Sequence, residues 1–319
     1  MSNNGIDDPN KDKTWLHSEI YDWPDEAKNK LPRTSILKFG SFGDLFSNAG
    51  KLIGQSLISW FLSLFFLILL IDPVLRHDDQ SFVLYSELIK LTCFTISVFL
   101  AIRIFDDSNP VDIGLKVNRR AIQDFAFGFI LIFFIFAFLF LLELISGWIR
   151  IEGAAWDTHS PSDILSSLLL NLIIFVFVGW SEELLSRGFQ LRIISKGLNR
   201  PLAIILSSAV FSYMHRYNPE TSTFYFIFLF LFGILMCFVY LRTGQLWLAI
   251  GLHTGWDFFG GVVFWQTPPI FGSGIFHLLD ESLAYLPSPN KIFEVPVLII
   301  LALIVYFYTA NRKPEIYGW

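Results

Sequence analysis

Beyond its first fifty residues the chain is a series of apolar runs separated by short polar segments. A bilayer core takes about 20 residues of apolar helix. Eight runs approach that length: 52–71, 82–102, 125–145, 164–180, 201–214, 223–241, 245–265 and 295–310. The first, third, sixth and eighth are almost free of charge. The second carries Glu87 and Lys90 near its start, and the fourth, fifth and seventh run into charged residues or histidines. This pattern predicts an all-α, polytopic membrane bundle of about eight transmembrane helices over residues 52–310. A polar tail, 1–51, precedes it and a short tail, 311–319, follows.

Composition supports this reading. Of the 319 residues 54% are apolar, 17% aromatic and only 16% charged. Ordinary soluble domains carry about a quarter charged residues. There are too few polar groups here to coat two globular surfaces, and the same numbers exclude a disordered chain or a disulfide scaffold. The formal net charge of −5 and the lack of a basic patch argue against a nucleic-acid partner. Cys93 and Cys237, the two cysteines, lie in apolar runs and are expected to be buried.

Charge placement also suggests an orientation. Lys and Arg concentrate in the segments on the side of the N-terminus, while the opposite side holds only Arg76, Arg150, Arg216 and Lys291. By the positive-inside rule both termini are expected in the cytoplasm, with the protein in the plasma membrane. The opening Met1-Ser2-Asn3-Asn4 and the polar stretch after it lack the pattern of a signal peptide. The segment 266–294, with four prolines, is read as an extracytoplasmic connector.

Ionisable residues at membrane depth cost roughly 2.5–3.5 kcal/mol on insertion scales and need a reason. Three clusters need one. In Glu182-Glu183-Leu184-Leu185-Ser186-Arg187, Glu183 and Arg187 are four apart and can pair on one helix face, while Glu182 points about 100° away. Alone, this could be a helix ending at the interface. Phe211-Ser212-Tyr213-Met214-His215 ends an apolar helix with a histidine, which alone could be interfacial. His253-Thr254-Gly255-Trp256-Asp257 places a carboxylate one turn from an imidazole, a means of orienting a histidine or, more blandly, of gluing helices together. A depth argument joins the three. If the fourth helix continues to a turn at Gly197-Leu198-Asn199-Arg200-Pro201, residues 182 and 215 are equidistant from that turn and lie level in an antiparallel hairpin. His253, about ten residues into the seventh run, can reach the same level.

Glu-Glu-x-x-x-Arg, Phe-x-x-x-His and His-x-x-x-Asp, in this order on successive membrane helices, resemble the CPBP family of intramembrane proteases. These are the CAAX prenyl protease and bacteriocin-processing, or Abi, proteins. The resemblance covers about residues 110–265; Asp257 stands where many relatives have Asn. It implies a helical bundle with a cavity open to the cytosol and hydrolysis of a peptide bond in a membrane-embedded or lipidated peptide. It leaves open whether the route is a metal one or a glutamate one without tightly bound metal.

Peptide hydrolysis needs an activated water, oxyanion stabilisation and a proton for the leaving amine. On this reading Glu182 is the general base, and Glu183 is held by Arg187 or shares the water. His215 and His253 stabilise the oxyanion or bind a divalent metal such as zinc with Glu182. Asp257 orients His253 and fixes its tautomer. The His-Glu-x-x-His and Gly-x-Ser-x-Gly patterns are absent. Ser181 has no neighbour marking it as a nucleophile. Two other readings stay open: a non-catalytic protein that binds or shields a membrane peptide, and a transporter. No internal repeat supports the latter.

Overall fold

The computed structural model describes residues 41–75, 79–106, 108–216, 222–264, 274–280 and 289–312. Nine α-helices run through these residues: α1 (Phe42–Leu75), α2 (Asp79–Phe105), α3 (Arg119–Ile145), α4 (Pro161–Glu183), α5 (Arg192–Gly197), α6 (Arg200–Met214), α7 (Thr223–Thr243), α8 (Trp247–Phe258) and α9 (Pro289–Tyr308). A π-helical segment, Leu184–Leu191, joins α4 to α5, and a second, Phe259–Phe264, follows α8. The fold is an all-α bundle, and each of the eight apolar runs falls on a helix. Four segments among the described residues are long and apolar enough to cross a membrane: Leu88–Phe105, Arg119–Ile145, Pro161–Gly197 and Thr223–Thr243. The helix over the fifth run, Arg200–Met214, is shorter.

The local sequence explains the helix ends. Asn118, Ser160, Asn199 and Ser222 each accept a hydrogen bond from a backbone N–H in the first turn of α3, α4, α6 and α7. Such caps satisfy donors that the helix itself leaves open. Pro161 and Pro201 open α4 and α6, where a missing N–H costs nothing. The expected turn after Gly197 is present, with Asn199 capping α6. Gly244, with φ of 66°, closes α7 in the left-handed region that favours glycine.

Three expectations differ from the structure. The first helix begins at Phe42, ten residues before the apolar run, because Ser41 and Asp44 form a reciprocal cap that starts it among polar residues. The seventh run, expected as a membrane span, is a 12-residue α-helix continued by six π-helical residues, and most of it is buried in protein. The stretch 266–294 is more than a connector. Phe276–Asp280 forms a strand, β2, pairing antiparallel with β1 (Ile149–Ala154), which follows α3. The backbone N–H of Ile275 also bonds the carbonyl of Val262. Residues 266–273 and 281–288 of that stretch lie outside the described residues, as do 1–40 of the polar tail and 313–319 at the C-terminus. Cys93 and Cys237 are buried, as expected.

Helix α8 sits between α3 and α4. Small residues allow this. A Cβ on Gly251 would run into the carbonyl oxygen of Phe125, and one on Gly128 would lie 2.8 Å from the Leu252 nitrogen. On the other side, a Cβ on Gly179 would lie 2.8 Å from the Thr254 hydroxyl. Close backbone approach through Gly251-x-x-x-Gly255 is a common way to pack helices in membranes. Away from α8, Asp106 at the end of α2 draws three cations together: Lys196 at 2.6 Å, Arg192 at 3.6 Å and Lys51 at 3.7 Å. This cluster fastens α1 and α5 to the end of α2.

Candidate active site

The three charged clusters meet. Glu182 and Glu183 end α4, Arg187 lies in the π-helical segment, His215 follows α6, and His253 and Asp257 are on α8. His215 Nε2 is 3.5 Å from Glu182 Oε2, and His253 Nε2 is 3.9 Å from the same oxygen. The level placement of residues 182 and 215 about the turn at 197–201 therefore carries into three dimensions.

The cluster has an inner and an outer layer. Glu183, Arg187 and His253 are sealed inside, with side chains 0%, 1% and 5% exposed. Glu182, His215 and Asp257 form the open side, at 24%, 16% and 25%. In the inner layer Glu183 Oε1 accepts from Arg187 Nη1 at 2.9 Å and from His253 Nδ1 at 2.8 Å. Arg187 also donates to the carbonyl of Gly233 on α7, and its guanidinium lies 4.6 Å from the centre of the Phe211 ring. A buried guanidinium is tolerated when it is paired and hydrogen-bonded in this way.

The carboxylate on His253 Nδ1 is thus Glu183. The i, i+4 spacing had suggested Asp257 for this task. Asp257 Oδ2 instead lies 3.5 Å from Nε2, on the open side. The reason is the rotation of α8: Gly251 and Gly255 turn towards α3, which leaves His253 facing the end of α4.

Both imidazoles are fixed in the same sense. His215 Nδ1 lies 2.8 Å from the carbonyl oxygen of Phe211. A carbonyl only accepts, so this nitrogen carries the hydrogen and donates. His253 Nδ1 donates to a carboxylate. Both Nε2 atoms therefore turn towards Glu182. Glu182 Oε2 is buried and has no hydrogen-bond partner among the described residues. Around this group, Phe211 and Phe232 flank His253 with ring centres 6.0 and 5.4 Å away, excluding water from its faces.

Sequence reasoning left three parts of this arrangement without a role, Phe211 of the histidine motif among them. Phe211 acts twice, through its ring under Arg187 and its carbonyl on His215. Gly233 lends its carbonyl to Arg187, and a Cβ there would lie 2.9 Å from Ser208. An isolated glycine in an apolar helix was the available signal. The third is the Gly128 and Gly251 contact that seats α8. Ser181 is buried and its hydroxyl donates to the carbonyl of Val178, so it is not turned towards the cluster as a nucleophile. No group of three or more His, Cys, Asp or Glu side chains among the described residues stands at metal-holding distances.

A protein-family comparison bears on this constellation. Residues 164–259 match the family Type II CAAX prenyl endopeptidase Rce1-like. The matched segment contains all six residues of the cluster. It bears out the resemblance drawn from the three motifs and supports an intramembrane protease. With helices long and apolar enough to cross a membrane, it also supports an integral membrane protein. No curated protein and no solved structure matches the chain.

Proposed function

We propose that the protein is an intramembrane endopeptidase that hydrolyses a peptide bond of a membrane-embedded or lipidated peptide, with Glu182 as general base. One observation carries this reading. Two imidazoles, each with Nδ1–H committed, direct Nε2 at Glu182 Oε2, a buried carboxylate oxygen that accepts no hydrogen bond among the described residues.

The chemistry follows from the residues. Glu182 takes a proton from water, and the oxygen attacks the peptide carbonyl. Glu182 lies on the open side and can pass the same proton to the leaving amine. Negative charge develops on the carbonyl oxygen and needs donors or a cation already in place. His215 and His253 meet that charge either as imidazolium rings that donate Nε2–H or as neutral rings whose Nε2 holds a cation. Glu183, fixed by Arg187, holds the His253 ring in one orientation.

The donor types here suit a divalent metal, although the three side chains stand further apart than the ligands of a bound ion. Ligating histidines commonly donate the other ring N–H to a carbonyl or a carboxylate, as both do here. His215 and His253 would hold it through Nε2 and Glu182 through Oε2, which leaves Glu182 Oε1 to take the proton. Their separations of 3.5 and 3.9 Å slightly exceed the roughly 3.3 Å edge of a zinc tetrahedron, so a small contraction is required. When bound, the metal would polarise the carbonyl and acidify water. Zinc suits the ligand types. The distribution of Lys and Arg supports cytoplasmic termini.

The test compares cells producing the wild type or Glu182→Gln at matched levels, reading new peptide termini by mass spectrometry. Loss of a general base lowers the rate about 10²–10⁴-fold. Termini confined to the wild type support the reading and reveal the substrate class. Identical termini from a well-produced pair refute it in favour of a non-catalytic peptide binder.

A further inference from the structure

We propose that a second site, separate from the carboxylate–imidazole cluster, binds the phosphate of an anionic phospholipid head group where α3 begins. The site is an open pocket with about 350 Å³ of empty space, counting its mouth. Lys116, Asn118, Arg120, Asp124, Gln245 and Arg312 line it. It lies where the start of α3, the α7–α8 turn and the segment after α9 meet.

Three observations point to an anion. The charged lining comprises three cations and one carboxylate, and that carboxylate is paired with one of the three, Arg312, which leaves an excess of two positive charges. Asp124 accepts both oxygens' worth of contact from Arg312 Nη1, at 2.7 and 2.8 Å, and a further hydrogen bond from Tyr308. Secondly, α3 has no acidic residue in its first turn but begins Arg119-Arg120. The N-terminal end of a helix carries partial positive charge, so two arginines there are unfavourable without an anion nearby. Thirdly, Gln245 is only 9% exposed, and its Nε2 has no hydrogen-bond partner among the described residues. Its Oε1 accepts from the Lys116 backbone N–H at 3.1 Å, which fixes the amide and leaves the NH₂ group for an acceptor. A buried donor with no acceptor is costly.

Depth favours a lipid phosphate. Helix α3 has 27 residues, about 40 Å at 1.5 Å per residue. The hydrocarbon core is about 30 Å thick, so the ends of α3 reach the head groups. Basic pockets between helices at this level suit lipid head groups. The occupant's phosphate oxygens would meet Gln245 Nε2, Arg120 and the positive end of α3.

Native mass spectrometry tests the site on full-length protein released from nanodiscs containing equal amounts of phosphatidylglycerol and phosphatidylcholine. The wild type is expected to retain one phosphatidylglycerol in preference to phosphatidylcholine. Gln245→Glu keeps an acceptor for Lys116 N–H but puts a carboxylate oxygen where the donor was; retention should fall at least tenfold. Arg120→Gln should weaken it severalfold, and Arg120→Lys should largely restore it. Elution as a single symmetrical species controls for folding. If both lipids are retained equally, or Gln245→Glu retains as much phosphatidylglycerol as the wild type, the site is refuted. If inorganic phosphate at millimolar concentration displaces the lipid from the wild type, a soluble phosphate is the ligand and the lipid assignment is overturned.

Discussion

Glu183→Gln is an unusually clean perturbation. Both hydrogen bonds to this residue end on Oε1, from Arg187 and from His253, while Oε2 has no partner among the described residues. A glutamine with its oxygen in the place of Oε1 keeps both acceptor contacts and puts its NH₂ where nothing is engaged. The charge is lost, and the buried NH₂ group is left without an acceptor among the described residues. Arg187, 1% exposed, is then left with the Gly233 carbonyl and the Phe211 ring. Breaking a buried ion pair by removing one partner costs about 3–5 kcal/mol. Glu183→Gln, which retains the hydrogen bonds, should cost about 3 kcal/mol, and Glu183→Ala about 5 kcal/mol. Loss of an orienting partner lowers activity about 10–100-fold. Glu183→Gln should lie near the lower figure and Glu183→Ala near the upper. Asp257→Asn is the control. Its Oδ2 is 3.5 Å from His253 Nε2 and its side chain is a quarter exposed, so stability should change by under about 1 kcal/mol. Its rate should change only severalfold. Denaturant unfolding in nanodiscs and cleavage of a reporter peptide supply the two readouts. A folded Asp257→Asn protein with a larger rate loss than Glu183→Gln would overturn the assignment of Glu183 as the residue that orients His253.

Other consequences can be checked separately. Gly251→Ala drives a methyl into the Phe125 carbonyl, so α3 and α8 must part; about 1–3 kcal/mol of stability should be lost, with activity falling because α8 carries His253 and Asp257. Gly147→Ala meets no atom within 4 Å but sits at a φ of 71°, so it should cost stability through backbone strain while leaving activity intact. Burial alone would raise the Asp106 carboxyl, but hydrogen bonds from Lys196 and Ser108 and the charges of Lys196 and Arg192 outweigh it and hold it below the usual aspartate range. A depressed folded value stabilises above the unfolded pKa of about 3.9, and that stability disappears as pH falls through the folded value. The unfolding free energies of wild type and Asp106→Asn should therefore differ constantly above about pH 5 and converge in stronger acid. Metal analysis of purified protein should find about one divalent ion per chain in the wild type and strongly reduced content in a His215→Ala, His253→Ala double variant. Equal content in the two would remove the metal from the proposal.

Much of this was legible because lipid is an exacting solvent. Backbone groups in a bilayer must be satisfied within a helix, so apolar runs such as 125–145 and 223–241 translate directly into α3 and α7. Glu182, His215 and His253 stood out because charge at depth is expensive, and the turn at 197–201 set two of them level. What the pattern could not convey was what each apolar face meets. The run 245–265 is apolar because it is buried against α3 and α4, and hydropathy does not separate protein from lipid as surroundings. The rotation of α8 depends on Gly128, Gly179 and Gly251 meeting across helices, and that rotation decides that Glu183 holds His253 Nδ1. The pairing of β1 with β2 joins positions more than 120 residues apart, beyond any local signal.

The burial of α8 bears on how the enzyme is made. Its residues from Leu248 to Gly255 are all buried, and its 12 residues reach only about 18 Å. Helices α3 and α4 supply most of the surface that receives it. His253 and Asp257 arrive on it. Until α3 and α4 are in place, the proposed hydrolytic site is incomplete. On the proposed reading, proteolytic competence is then a property of the finished bundle.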